Sequence, residues 1–119
     1  MSLIDELKDL GVNVDEGLDR VMGDNSLYEM MLGMFLSSVQ ENPVAAADFD
    51  GANLDDLIKR VHMLKGVTGN LALTPLFTAY NQSLVLLRAG NAADAKKEFE
   101  QMLPVQAKII DCITRHMGA

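Results

Sequence analysis

The stretch Asn53-Leu54-Asp55-Asp56-Leu57-Ile58-Lys59-Arg60-Val61-His62-Met63-Leu64-Lys65-Gly66-Val67-Thr68-Gly69-Asn70-Leu71 decides how the chain is read. Leu54, Leu57, Ile58, Val61, Leu64 and Leu71 recur at helical spacing, and at about 100° per residue they gather on one side of an α-helix. Asn53 stands where an N-cap belongs, and Asp55 and Asp56 suit the positive end of a helix dipole. His62 falls off the centre of the apolar stripe, on a flank able to face solvent. Lys65 and Gly66, three and four residues further on, share that flank, and Gly69 continues it. A mid-helix glycine costs up to ~1 kcal/mol relative to alanine, so two of them on the histidine's side suggest a service other than packing.

Working outward, the same periodicity predicts helix nearly everywhere. A short helix over residues 3–10 stops at Gly11, and a second over 15–22 ends at Gly23. Asn25 or Ser26 can cap a third, with Glu29 at capping-box spacing from Ser26 and Leu27, Met30, Met31, Met34, Phe35 and Val39 as apolar positions. Pro43 falls inside that pattern and either kinks the helix or starts a new segment through Ala47. Residues 48–53 read as a turn. Thr74-Pro75 restarts a helix, with Thr as N-cap and Pro at N1. That helix stops at Gly90-Asn91, and a last one covers 92–115, with Pro104 as a kink. The sum is one all-α domain over residues 1–119: an antiparallel four-helix bundle with one or two short extra N-terminal helices.

Composition narrows the function. The net charge of −7 repels phosphate backbones, and a chain with four Phe, two Tyr and no Trp lacks a base-stacking platform, so nucleic acid is not an expected partner. No run approaches ~20 uninterrupted apolar residues, and no basic leader precedes an apolar segment, so neither a membrane span nor a secretory signal is expected. The single cysteine suits a reducing compartment, and a cytoplasmic monomer is expected. A metal site needs at least three ligands. His62, His116 and Cys112 are the soft candidates and show no ligand spacing, so no metal is expected. Cys112, among isoleucines, reads as a small buried hydrophobe, and His116 as a structural residue at a helix end.

The flank of His62 suits phosphoryl chemistry. Neutral imidazole is a good nucleophile near neutral pH, the product carries concentrated negative charge, and Lys65 is placed to stabilise it. Gly66, one turn away, leaves room for another protein to approach. Met63 points away from the apolar stripe and offers a flexible contact for a partner.

His62-Met63-Leu64-Lys65-Gly66, followed by Gly69-Asn70-Leu71, resembles the H-x-x-K-G signature of the histidine-containing phosphotransfer (HPt) family. Leu27-Tyr28 and Phe35-Leu36 on the preceding helix, and Leu87-Arg88-Ala89-Gly90-Asn91 at the end of the following one, are similar to the family pattern in looser form. The resemblance implies a phosphocarrier in a histidine–aspartate phosphorelay. His62 would be the phosphoacceptor, Lys65 the electrostatic helper and Gly66 the access residue, with Met63 and Gly69 docking the partner. The partners would be response-regulator receiver domains or a hybrid histidine kinase. The family binds no ATP or other cofactor of its own, and Mg²⁺ belongs to the receiver. Two positions depart from the pattern. Ala72 stands where the family commonly has glycine. The glutamine that often orients the histidine ring is not matched at Tyr80 or Leu84, which leaves Tyr80 and Gln82 as candidates for that role. The alternative reading is a helical adaptor that binds receiver domains without accepting phosphate.

Overall fold

The computed structural model describes residues 2–117. Six α-helices follow one another: α1 (Leu3–Asp9), α2 (Val14–Asp19), α3 (Asn25–Glu41), α4 (Asp55–Asn70), α5 (Thr74–Arg88) and α6 (Ala92–Met117), with a 3-10 helix (Ala46–Asp50) between α3 and α4. α4 packs on α3 and α5, and α6 on α3 and α5. α1 lies against α6, and α2 against α1 and α3. The principal extents are 43 × 24 × 23 Å. Among the described residues no helix is long and apolar enough to cross a membrane.

The caps differ in detail from the expectation. Asp24, rather than Asn25 or Ser26, caps α3, its carboxylate accepting from the Leu27 amide at 3.1 Å. α3 ends at Glu41, so Pro43 lies outside it and kinks nothing; proline disfavours helical geometry in the residue before it. The chain then runs through the 3-10 helix where a turn was expected from residue 48. Arg60, held along α4 by Asp56, fastens this segment to the helix through Asp48 and the Pro43 carbonyl. Phe49 meets Phe99 of α6 with ring centroids 5.2 Å apart. Thr74 is already the first helical residue of α5 and does not cap it. Asn91 caps α6 reciprocally with Asp94, and Pro104 lies inside that helix.

The predicted stripe of α4 is buried at Leu57, Val61 and Leu64, joined by Thr68, while Ile58 is half-buried. Thr68 can sit there because its hydroxyl donates to the Leu64 carbonyl at 2.8 Å. Two matching turns end α4 and α5. In the first, the Leu73 amide bonds the Thr68 carbonyl and the Ala72 amide that of Gly69. In the second, Asn91 bonds Leu86 and Gly90 bonds Leu87. This is the Schellman arrangement, which needs a left-handed residue at its corner. Gly90 fills the second corner with φ +80, and Ala72 fills the first with φ +54. The glycine that the family resemblance led one to expect at position 72 would thus have stood at a left-handed corner.

α2 is held by a close approach. A Cβ on Gly17 would lie 2.6 Å from the Tyr28 ring and 2.8 Å from the Leu71 carbonyl oxygen. The Tyr28 hydroxyl donates to that same carbonyl at 3.0 Å, and the Asn13 amide donates to the Ala72 carbonyl at 3.0 Å. Gly17→Ala should therefore destabilise the fold by roughly 1–3 kcal/mol through overpacking. Urea unfolding checks it, and an unchanged midpoint would show that α2 can move away freely.

Candidate functional site

His62 lies midway along α4 and is exposed, as the flank position predicted. Among the described residues no side chain is hydrogen-bonded to its ring. It borders an open pocket of about 510 Å³ with walls from three helices. α4 gives His62, Lys65, Gly66, Gly69 and Asn70. The start of α5 gives Thr74, Phe77 and Thr78. α2 gives Glu16 and Arg20. Lys65 is half-buried and has no salt-bridge partner among the described residues. Arg20 is held by Glu16 at 2.9 Å, and the other Glu16 oxygen accepts from Asn13 at 3.2 Å. The lining therefore gathers the Lys65 ammonium, without a salt-bridge partner among the described residues, and the neutralised Arg20–Glu16 pair beside one imidazole, so Lys65 supplies the excess positive charge that an anion would meet.

The two glycines serve different ends. A Cβ on Gly66 would meet nothing within 4 Å, so that position is open above the pocket. A Cβ on Gly69 would lie 3.0 and 3.1 Å from the Phe77 ring, so its missing side chain makes room for a residue of this same chain. Met63, beside the histidine, is 50% exposed.

The two candidates for orienting the ring lie elsewhere. Tyr80 stands four residues from both Leu76 and Leu84 on the buried face of α5, and its hydroxyl donates to Gln106 of α6 at 2.5 Å. Burial keeps that phenol protonated, its pKa raised far above the usual value. Gln82 is exposed and does not line the pocket. The α5 residues that do reach it are Thr74, Phe77 and Thr78, one and two turns earlier.

The sequence reading missed the contribution of α2. Glu16 sits on a helix of six residues, too short for periodicity to reveal a face, and Arg20 is the residue that caps its end. The one available signal was Gly17 between them, a glycine inside a helix that marks a close contact.

A second group of side chains forms where the chain's first and last helices meet. His116 Nε2 lies 3.0 Å from Glu6 Oε1, Arg115 Nη2 donates to Glu6 Oε2 at 2.8 Å, and Arg115 Nε donates to Asp111 at 2.8 Å. Arg115 and then His116 hold the Glu6 carboxyl down at about 2. Cys112 is buried beside them, and burial, then Glu6, raises its thiol to about 11. Glu6, Cys112 and His116 offer ligand atoms all within 4.8 Å of one another. Cys112 and His116 are four apart on one helix, and folding supplies Glu6 from the other end of the chain.

No family model, curated protein or solved structure matches the chain.

Gly66→Ala should keep the fold and gain from a few tenths to ~1 kcal/mol, whereas at Gly69 the same gain is offset by crowding against Phe77, so Gly69→Ala should be the less stable of the two by about 1 kcal/mol. Parallel thermal melts separate them, and equal melting points would sink the distinction. The Glu6 carboxyl titrates at about 2 in the fold against an ordinary 4.5. Its contribution is therefore complete above pH 4.5 and is lost as the pH falls towards 2. Wild type should be more stable than Glu6→Gln at neutral pH, and the two should converge across that interval. A constant difference between their urea midpoints down to pH 2.5 would contradict the assignment.

Proposed function

We propose that the chain is a phosphocarrier of the HPt kind, taking a phosphoryl group on His62 from a receiver aspartate or a kinase and passing it to a response-regulator aspartate. The observation that carries this reading is an exposed imidazole in mid-helix, with no side-chain partner among the described residues, beside Lys65 and above an open Gly66. On this reading α3, α4, α5 and α6 form an antiparallel four-helix bundle. Short connections between α4, α5 and α6, and the packing of α3 on both α4 and α6, support that arrangement.

The step itself asks little of this chain. The outward ring nitrogen of His62 attacks the phosphorus of the aspartyl phosphate in line. A P–N bond forms, the P–O bond breaks, and the aspartate leaves as a carboxylate. The proton on the other ring nitrogen passes to water. Mg²⁺ and its ligands belong to the receiver. Lys65 faces the charge that accumulates on the phosphoryl oxygens, Gly66 lets the receiver's loops reach bonding distance, and Met63 gives an apolar contact at the edge. The chain turns over no small substrate; it is a carrier, at work where its receivers are, in the cytoplasm.

Incubation with a phosphorylated receiver tests this. Wild type should acquire acid-labile, base-stable label, and His62→Gln should fold normally and acquire none. Lys65→Ala should transfer about tenfold more slowly, equivalent to ~1.4 kcal/mol at the transition state, with unchanged circular dichroism. A chain that binds receivers and takes no label is an adaptor, and label persisting in His62→Gln moves the acceptor to another residue.

A further inference from the structure

We propose that Glu6, Cys112 and His116 form a binding site for one divalent transition-metal ion of the zinc type, joining α1 to α6. This rests on nothing in the phosphotransfer reading, and His62 takes no part in it.

The donor set is the first support. Thiolate, imidazole and carboxylate are the three side-chain ligands that zinc takes, and three of them with a fourth position left to water is a common pattern. Cys112 and His116, one helical turn apart, project from the same side of α6. The three ligand atoms lie within 4.8 Å of one another, with Nε2 and Oε1 already at 3.0 Å. Bond lengths around tetrahedral zinc put ligand atoms roughly 3.3–3.6 Å apart, so rotamer adjustments of about an ångström close the site. α6 is continuous through both of its ligands, which keeps Cys112 and His116 in register.

Charge is the second support. With Cys112 as thiolate, the group carries negative charge on Glu6, Cys112 and Asp111 and positive charge on Arg115. The excess of two is what one divalent ion neutralises. Arg115 is no competitor for the ion, because it holds the Glu6 oxygen that faces away from His116 and is itself held by Asp111. That leaves Oε1 as the ligand and fixes the carboxylate's orientation, the service outer hydrogen bonds give in metal sites. Cys112 is buried, but the Glu6 and His116 side chains are 22% and 24% exposed, which gives the ion its way in. On binding, the thiol releases its proton to water and the neutral imidazole carries its proton on Nδ1. The metal takes Sγ, Nε2 and Oε1. Because coordination must displace the thiol's proton, the affinity falls as the pH is lowered.

The test uses the untagged chain in a thiol-free reductant, titrated with Co²⁺ and then Zn²⁺. Cys112 is the only cysteine in the sequence, so a thiolate-to-cobalt charge-transfer band in the near ultraviolet reports this site alone. The expected result is a band saturating at one Co²⁺ per chain, displaced by Zn²⁺, with Zn²⁺ raising the melting temperature by several degrees. His116→Ala changes only a residue at the exposed end of α6 and should weaken binding by about tenfold or more. His62→Gln should bind as wild type does. Absence of a saturable band, or a band unaltered in His116→Ala, overturns the proposal. So does a band lost in His62→Gln, which would place a bound ion at the other histidine.

Discussion

The hydroxyl of Tyr28, buried and donating to the Leu71 carbonyl, is the contact on which the rest depends. Leu71 is the residue that closes α4, and its carbonyl would otherwise be an orphan of the helix end. Burial pushes the phenol up to about 12, so the proton stays available for this bond at any ordinary pH. Gly17 lies directly on the ring, close enough that no side chain fits, and this fixes where α2 runs. Three helices thus meet at one phenol. Because α2 is set there, Glu16 and Arg20 become a wall of the pocket that His62 borders. An aromatic residue in the core therefore shapes a site that it never touches.

The parts of this architecture that could be read in advance were those with a repeated signal. The apolar positions of α4 recur often enough to fix its buried side, and with it the exposure of His62. Glycines at 11, 23 and 90 marked helix ends, and all three take positive φ. Boundaries were less legible where several residues compete. In Asp24-Asn25-Ser26 all three side chains make good caps, and only tertiary packing chooses the aspartate. Tyr80 shows a different limit. Aligned by position along the chain it stands near His62, but its place four residues from Leu76 and Leu84 turns it inward, where Gln106 satisfies its hydroxyl. Arg20 and Glu6 were illegible for a third reason: both belong to short helical segments that carry little periodicity, and Glu6 meets Arg115 and His116 from the far end of the sequence.

The two Schellman turns show how one geometry accepts two sequences. At Gly90 the left-handed corner is open, with nothing within 4 Å of a Cβ. At Ala72 the corner carries a methyl group that is buried, its residue only 5% exposed. A left-handed alanine costs roughly 1–2 kcal/mol, and burial of the methyl group offsets part of that. The Ala72 carbonyl also accepts the Asn13 amide, and Ala72 lines the pocket, so this turn joins the start of α2 to α4 and α5 at the foot of the site.

The ion pair of Glu6 with Arg115 has a bearing on how the chain can be rewired. It places the first helix and the last side by side, at the turns where the described chain starts and stops. Helices held together in this way can be joined directly, the Glu6 turn of α1 to the Arg115 turn of α6, by a linker that does not cross the core, which is the geometry a circular permutant needs. New ends could open in the exposed bend after the 3-10 helix, at Gly51 and Ala52, where no helix would be cut. The same adjacency lets the whole unit be spliced into a surface loop of another protein, entering and leaving at nearly one point.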